Sequence, residues 1–223
     1  MKVHDRVMAM RRKKSEYHHP DLRTALLDAA AKMIKTAGLS AFSLRGLAKE
    51  AGVSHAAPYR HFKNKEEILA NLILEGHRRL QICLLQARDA HPDSPPDQLI
   101  ALARSYLAFA RANPEYLHIM FSRAGMEAAM ALEAKLNVDH EDYDTFGVLE
   151  STVKACQAGG WMDARMDSGT LSFYSWATVH GLASLANEGL IAGMAGQRGM
   201  DEETTLGALF GLMRASMRTP PAR

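Results

Sequence analysis

The sequence predicts an all-α protein in two parts, a small N-terminal unit of three helices and a larger helical domain. Apolar residues recur at intervals of three and four through most of the 223 residues, which is the period of an amphipathic helix. No stretch alternates between apolar and polar residues with the period of two that a strand needs. Short breaks that contain glycine or proline separate the helical stretches.

The composition excludes several classes of protein. Hydrophobic residues make up 47% of the chain, which excludes a disordered protein. No apolar run approaches the roughly 20 residues that span a bilayer, and no secretion signal opens the chain. Cys83 and Cys156 are far apart, so neither a disulfide framework nor a zinc site is indicated. We therefore expect a cytoplasmic protein with no membrane partner, no metal and no cofactor.

Residues 1–19 carry RRKK at positions 11 to 14 and few apolar groups, so they are predicted to form a flexible basic arm. Such an arm either contacts nucleic acid or is a solvated tail, and the residues leave both open. A first helix follows from Asp21 to Gly38, since its apolar residues keep helical spacing.

The next stretch has the layout of a helix-turn-helix motif. Ser43 is a good N-cap for a short helix with its apolar stripe at Leu44, Leu47 and Ala48. Gly52 can take the positive φ that reverses the chain, and Ser54 can cap a second helix that runs to about Phe62. In such a motif the second helix enters the major groove of DNA.

The second helix carries side chains suited to DNA. Its small residues Ala56 and Ala57 let the backbone approach base edges, while Tyr59, His61 and the following Lys65 suit phosphate oxygens. Asn64 and Glu67 have the spacing of a capping box, so a further helix should begin at Lys65. The alternative is a helical hairpin that never meets DNA.

This region resembles the TetR-type bacterial transcription regulators. The resemblance covers about Leu22 to Asn71, and its specific elements are A-G-V-S at 51–54, Y-R-H-F at 59–62 and K-N-K at 63–65. It implies phosphate contacts from Ser43, Tyr59, His61 and Lys65, and base contacts from Arg45, His55, Ala56 and Tyr59. Two residues depart from the family pattern, since Ala56 replaces a common glycine and Pro58 a common leucine. The full predicted DNA-binding set is Ser43, Arg45, Ser54, His55, Ala56, Ala57, Tyr59, His61 and Lys65.

The distribution of charge agrees with DNA as a partner. Residues 1–75 contain 14 Lys and Arg against 8 Asp and Glu, a net charge of +6, whereas the remainder carries 13 against 17. The basic end therefore coincides with the helix-turn-helix, where positive charge supplies non-specific, salt-dependent binding to DNA.

The larger domain is predicted helix by helix. The helix that begins at Lys65 keeps an apolar stripe to about Arg88 and would link the two parts. Ser94 is predicted to cap the next helix, and Asn113 with Pro114 to start another. Further helices are predicted from Tyr143 to Cys156, from Gly169 to Gly189, and after the cap Asp201.

The helix predicted from Gly169 to Gly189 has apolar or small residues on nearly every side, which indicates contact with more than one neighbour, and the helix after Asp201 should pair with it. We expect residues 169–189 and 201–217 to meet their copies in a homodimer. Trp176, His180 and Gly181 form W-x-x-x-H-G, which resembles a motif in one group of TetR-type C-terminal domains. The resemblance also implies a pocket for a small-molecule effector in this domain.

Eight aromatic, methionine and histidine residues lie on helices that could surround one apolar pocket. The alternative is that they are plain core. The predicted effector-binding residues are Tyr106, Phe109, Met120, Phe121, Tyr143, Phe146, Trp176 and His180.

No motif of a hydrolase, a metalloprotease or a phosphate-binding loop is present, so an enzyme is not expected. The predicted organisation is a basic arm (1–19), a helix-turn-helix DNA-binding domain (20–66) and an effector-binding and dimerisation domain (67–218). The predicted function is a homodimeric regulator, a repressor at a palindromic operator, altered by a small apolar effector. The alternative is a TetR-like protein-interaction module or coactivator that does not bind DNA itself.

Overall fold

The computed structural model describes residues 22–123, 125–127, 130–131 and 144–217, and these contain helices and no strand. The fold class predicted from the sequence is therefore confirmed. The helices are α1 (Leu22–Ala37), α2 (Leu44–Glu50), α3 (Ala57–His61), α4 (Lys65–Asp89), α5 (Pro95–Ala112), α6 (Pro114–Met120), α7 (Thr145–Ala158), α8 (Ser168–Asn187), α9 (Leu190–Gly196) and α10 (Glu202–Ser216). A 3₁₀ turn (Leu39–Ala41) follows α1.

Several helices begin where a side chain satisfies the free amides of the first turn. The Asn64 side-chain oxygen accepts the amide of Glu67 at 2.9 Å, and Asp201 accepts the amide of Thr204 at 2.7 Å. Both caps were predicted from the sequence. Asp167 caps α8 in the same way through the amide of Thr170 at 2.7 Å.

Ser94 and Asn113 are the N-cap residues of α5 and α6, as predicted, but neither makes a side-chain cap bond. Ser94 makes no cap bond, because its hydroxyl donates to the Asp97 carboxylate at 2.5 Å. Asn113 turns its side-chain amide back to the Phe109 carbonyl at 3.0 Å, so it satisfies the end of α5 rather than the start of α6. In both places a proline in the first helical turn lacks an amide hydrogen, which reduces the number of donors to be capped.

One described helix was not predicted. The helix predicted to reach Gly189 ends at Asn187, and α9 begins directly after Gly189, whose φ is +70°. Gly193 and Gly196 lie inside or at the end of α9. Because glycine is a poor helix former, the residues of α9 show no local preference for a helix.

One apolar core joins the two parts of the protein. Its buried residues run from Leu26 in α1 to Phe210 in α10, with α4 in the middle, packed on α1, α5, α6 and α7. A smaller cluster gathers around Leu99, Val153 and Cys156, between α5 and α7. The helix-turn-helix unit is therefore attached to the larger domain through α4 and by side contacts.

The side contacts are made by α6, which meets both α1 and α4. The Lys35 ammonium is 3.6 Å from the Glu115 carboxylate, and the Arg79 guanidinium of α4 stacks over the Tyr116 ring at 5.2 Å. Gly76 lets α4 and α6 approach closely, because a Cβ at that position would lie 2.7 Å from the Met120 sulfur. Across the described residues, no helix combines the length and the apolar character that crossing a bilayer requires.

Candidate functional site

Hydrogen bonds hold both ends of α2, and those at its C-terminal end fix the turn that leads to α3. The Ser43 hydroxyl accepts the amide of Gly46 at 3.2 Å and caps the helix as predicted. At the other end, Gly52 has a φ of +67°, the Gly52 amide bonds to the Lys49 carbonyl and the Val53 amide bonds to the Ala48 carbonyl. This pair of bonds is a Schellman motif, in which glycine supplies the left-handed residue.

The start of α3 differs from the prediction. Ser54 was expected to cap a helix beginning at once, but α3 begins at Ala57, and its N-cap Ala56 makes no side-chain bond. Pro58 is the second residue of the helix and is buried. A helix capped by Ser54 would need the amide of residue 58 to donate to the Ser54 carbonyl. Because proline has no amide hydrogen, the helix starts later and the turn lengthens.

The outer surface of α3 presents a compact set of polar side chains. His55, Tyr59, Arg60 and His61 are exposed, and the exposed fraction of Tyr59 is 59%. Ala56 is also exposed, so it leaves the backbone accessible. A short helix that presents cationic, aromatic and small residues together matches the chemistry of a major-groove surface.

Two of the predicted DNA-binding residues lie differently from the expectation. Ala57 is buried, with 8% of its surface exposed, so its methyl group faces the core of the unit and not the surface of α3. The Lys65 ammonium donates to the Leu39 carbonyl at 3.1 Å and lies 5.6 Å from the centre of the Phe42 ring. Lys65 thus holds the 3₁₀ turn against the start of α4.

Arg60 is a residue that the predicted set left out. It is exposed on α3 between Tyr59 and His61, and arginine is the side chain that most often reads guanine in the major groove. The signal was available in the sequence, because Arg60 is a charged residue in the second helix that packing does not need. Arg45 and Ser54 are likewise exposed, at the start of α2 and in the turn.

A surface ion pair ties α1 to α2 behind this face. The Lys32 ammonium donates to the Glu50 carboxylate at 2.8 Å, which lowers the pKa of Glu50 and raises the pKa of Lys32. The pair places a cation beside the Glu50 carboxylate on the exposed surface of the unit.

The larger domain contains an apolar cavity of about 360 Å³ beside α4. Its walls come from α4, α5, α7, α8 and α10 and from Phe121 after α6. The lining residues are His77, Leu80, Leu84, Leu99, Leu102, Ala103, Tyr106, Phe121, Thr145, Phe146, Leu149, Phe173, Ser175, Trp176, Val179 and Met213. None of these side chains is a lysine, an arginine or a carboxylate, so the cavity suits an uncharged molecule.

The structure brings part of the predicted effector set to this cavity. Four predicted residues line it, namely Tyr106, Phe121, Phe146 and Trp176. Phe109 and Met120 are buried in the core and do not line the cavity, and Tyr143 lies outside the described residues. Helical spacing shows that a residue faces inward, but it does not show which neighbour the residue meets.

His180 stands behind the cavity wall in a cluster of rings. Its Nδ1 lies 2.7 Å from the Tyr106 hydroxyl, and its ring centre is 4.7 Å from Phe121 and 5.5 Å from Trp176. Burial lowers the pKa of His180 and raises the pKa of Tyr106. Both groups therefore favour their neutral forms, in which the tyrosine hydroxyl can donate to the ring nitrogen.

The residues at the polar edge of the cavity were not predicted from the sequence. His77 of α4 and Thr145 at the start of α7 both line it, and the His77 Nδ1 lies 3.4 Å from the Thr145 hydroxyl. In the sequence His77 sits among charged residues and looks like a surface position. Phe173 was also missed, although it stands three residues before Trp176 on the same helix.

A second surface, rich in exposed apolar side chains, lies on α8, α9 and α10. Large apolar side chains are exposed there, each with between 45% and 70% of its surface accessible: Tyr174, Leu185, Leu190, Met194 and Leu212. Glycines on the same helices, Gly181 and Gly211 among them, have open space where a Cβ would lie. A surface of this kind is typical of a site that a protein partner covers.

Family models match both parts of the chain. Residues 26–72 match the model of bacterial regulatory proteins of the tetR family, and residues 99–206 match the model of the tetracyclin repressor-like C-terminal domain. The chain belongs to the TetR family. The first match covers α2, α3 and the exposed face of α3, and the second covers most of the residues around the cavity.

Individual relatives agree with membership of the TetR family. The chain is 32% identical to the nucleoid occlusion factor SlmA of Vibrio vulnificus over 124 residues, which are 55% of this chain and 63% of SlmA. It is 27% identical to the transcriptional regulator AcrR of Shigella flexneri over 150 residues, which are 65% of this chain and 68% of AcrR. The match to SlmA thus spans less than two thirds of that relative.

A solved structure shares the fold over nearly the whole chain. The protein of unknown function from Rhodococcus sp. RHA1 superposes with a TM-score of 0.71 at 28% identity, over 92% of this chain and 100% of that one. Family and fold together show a helix-turn-helix of the tetR family of bacterial regulatory proteins, followed by a tetracyclin repressor-like C-terminal domain. The grouping by W-x-x-x-H-G stays a prediction.

Proposed function

We propose that this protein is a homodimeric transcriptional repressor that binds a palindromic operator and is released by a small, uncharged, apolar effector. Repression is the simplest outcome of DNA binding, because it needs only occupancy of the operator. The site of action is the cytoplasm, where the DNA lies.

The proposal rests on one observation: the helix that carries the DNA-binding unit at one end also forms a wall of the cavity. The helix α4 begins at Lys65, directly after α3, and its residues His77, Leu80 and Leu84 form a wall of the cavity. A ligand in the cavity therefore contacts the helix on which the DNA-binding unit is mounted. A ligand changes DNA affinity only if it binds the two states of the protein unequally, and contact with α4 offers a route to that difference.

The exposed face of α3 supports the assignment of DNA contacts. We propose that His55, Ala56, Tyr59 and Arg60 approach base edges and that Tyr59 and His61 also contact the phosphate backbone, since these residues are exposed together. Arg45, Ser43 and Ser54 lie beside them, and Lys65 acts chiefly by fixing the 3₁₀ turn through Leu39.

The exposed apolar surface of α8, α9 and α10 supports a homodimer. A two-fold axis places the same surface of both copies in contact, so the apolar residues and the open glycine positions meet their equivalents. Two α3 helices related by that axis would enter successive major grooves, with half-sites about 10 base pairs apart or a multiple of that distance.

The division of labour along the chain follows. We assign residues 1–19 to a basic arm, residues 20–66 to DNA binding, and residues 67–218 to effector binding and dimerisation. The boundary near residue 66 falls inside the first turn of α4, where the cap at Asn64 has just begun the helix.

The test is selection of DNA from a random pool by the purified protein, followed by titration of the selected sequence at two salt concentrations. We expect a palindromic site whose affinity falls steeply as salt rises, because Lys and Arg release counterions on binding. The complex then serves as the probe in a screen of uncharged apolar compounds. Recovery of no preferred sequence would contradict the proposal and favour a protein-interaction module that does not bind DNA.

A further inference from the structure

A second cavity adjoins the one described above. It has a volume of about 280 Å³ and lies between α5, α8, α10 and the turn that connects α7 to α8. Four methionines line it, namely Met162, Met166, Met213 and Met217. We call it the methionine chamber, and the cavity of about 360 Å³ the aromatic chamber.

Three side chains separate the two chambers. Leu99, Ser175 and Met213 line both of them, so each chamber begins where the other ends. Ser175 is small, and its hydroxyl is turned to the Leu171 carbonyl of its own helix at 2.8 Å. Met213 has three rotatable side-chain bonds and adapts its shape easily. The partition can therefore open without movement of the backbone.

The methionine chamber has a defined outer wall. The Gln157 side-chain amide donates to the carbonyls of Asp163 and Met166 at 2.9 and 2.8 Å, which holds the connecting turn in place. The inner wall includes Leu99 and Met217, both buried members of the smaller apolar cluster. The Asp163 carboxylate is paired with Arg165 at 2.6 Å, so it offers no uncompensated charge to a ligand.

From this arrangement we infer that the two chambers form one elongated site, and that the effector is an uncharged molecule with an apolar chain long enough to span both. The inference rests on the proposed effector cavity and states the shape and chemistry of its ligand. Ligand pockets have volumes of roughly 300–1,000 Å³. The volume of the aromatic chamber lies near the lower end of this range and that of the methionine chamber lies below it, whereas their combined volume lies well inside it.

A series of straight-chain alcohols tests the inference with the full-length protein. Hexanol, octanol, decanol and dodecanol are titrated by calorimetry. Burial of each methylene contributes about 0.8 kcal/mol, so affinity should rise roughly fourfold per methylene for as long as the chain finds apolar walls. In the wild type the rise should continue through decanol and dodecanol, because a longer chain passes Ser175 into the methionine chamber.

Two variants should stop the rise at short chains. Ser175→Leu fills the partition, and Met166→Glu places a charge in the wall of the methionine chamber at a position that is already 49% exposed. Ser151→Leu is the matched control, since Ser151 also turns its hydroxyl to a carbonyl of its own helix but lines neither chamber. We expect hexanol to bind the wild type, Met166→Glu and Ser151→Leu alike, and dodecanol to bind the two blocked variants at least tenfold more weakly than the wild type and Ser151→Leu.

The outcomes separate this inference from the function on which it rests. Binding of short alcohols, with the same dependence on chain length in the wild type and both blocked variants, would overturn the two-chamber site and leave the proposed effector cavity standing. If the affinity of the wild type stops rising at octanol, the two-chamber site is likewise overturned and the proposed effector cavity still stands. Failure of every alcohol to bind the wild type would overturn both.

Discussion

Replacement of Gly76 by alanine tests how closely α4 and α6 are packed. A Cβ at this position would lie 2.7 Å from the Met120 sulfur and 2.9 Å from a ring carbon of Tyr116, both shorter than real Cβ contacts. Met120 and Tyr116 are buried, so neither side chain can move into solvent to make room. The substitution should therefore push α6 away from α4.

Two opposing contributions set the expected magnitude. Alanine favours a helix over glycine by about 0.8–1.0 kcal/mol, which stabilises the variant. Overpacking of a filled core costs about 1–3 kcal/mol. We expect Gly76→Ala to lower the free energy of unfolding by roughly 0–2 kcal/mol. A glycine-to-alanine change in a helix without such a clash would instead raise the free energy of unfolding by about 0.5–1 kcal/mol.

Urea unfolding at a fixed protein concentration compares Gly76→Ala with the wild type, since the stability of a dimer depends on concentration. A double-mutant cycle with Met120→Ala adds a second check. Removal of the Met120 side chain should make Gly76→Ala less costly, because part of the clash is gone. If Gly76→Ala raises the free energy of unfolding by about 0.5–1 kcal/mol, the close approach of α4 and α6 is refuted.

Three further predictions concern the DNA-binding unit and the ring cluster. Tyr59→Ala should weaken operator binding at least tenfold, by loss of a bond worth about 1.5–3 kcal/mol to a charged phosphate, and gel-shift titration should show this while sedimentation still shows the dimer. Ser43→Ala should cost about 1 kcal/mol in urea unfolding, because the Gly46 amide loses its cap. Burial lowers the pKa of His180 below its ordinary 6.5, so on acidification the unfolded chain takes up a proton that the folded protein resists. His180 thus destabilises the fold as pH falls below about 6.5, and in His180→Gln the urea midpoint should decline less between about pH 7.5 and about pH 5.5.

Local signals in the sequence predicted local structure well. The cap at Ser43, the left-handed residue at Gly52 and the cap at Asn64 depend on neighbours within a few residues, and all three are present. The start of α3 was placed too early because Ser54 has the character of a cap. Pro58, four residues later, decides where helical geometry can begin.

The cavity could be predicted only in part, for a different physical reason. Periodicity identifies the inward side of each helix, and it correctly placed Phe121 and Trp176 on apolar faces. Which inward residues border a cavity depends on the packing of five helices, and no spacing in the chain encodes that. Phe109 therefore fills the core, while the polar His77 reaches the cavity from a stretch rich in charge.

The DNA-binding unit is attached to the larger domain at two points, α4 and α6, so a ligand in the cavity would act on DNA binding through these helices. About 12 residues of α4 separate Lys65 from His77, which is roughly 18 Å of helix at 1.5 Å per residue. A displacement of the cavity wall is thus carried along one rigid element. The second attachment is α6, which ends next to the wall residue Phe121 and holds α1 through Glu115 and Lys35.

Movement of α4 alone would strain this second attachment, so α4, α6 and α1 must shift together. Gly76 is the point where α4 and α6 touch most closely, and Arg79 stacked on Tyr116 joins the same helices one turn further on. A ligand that displaces Phe121 and His77 together would act on both attachments at once. We therefore expect the effectors that change DNA affinity most to be those that contact both sides of the cavity, since contact with α4 alone is opposed by the packing at Gly76.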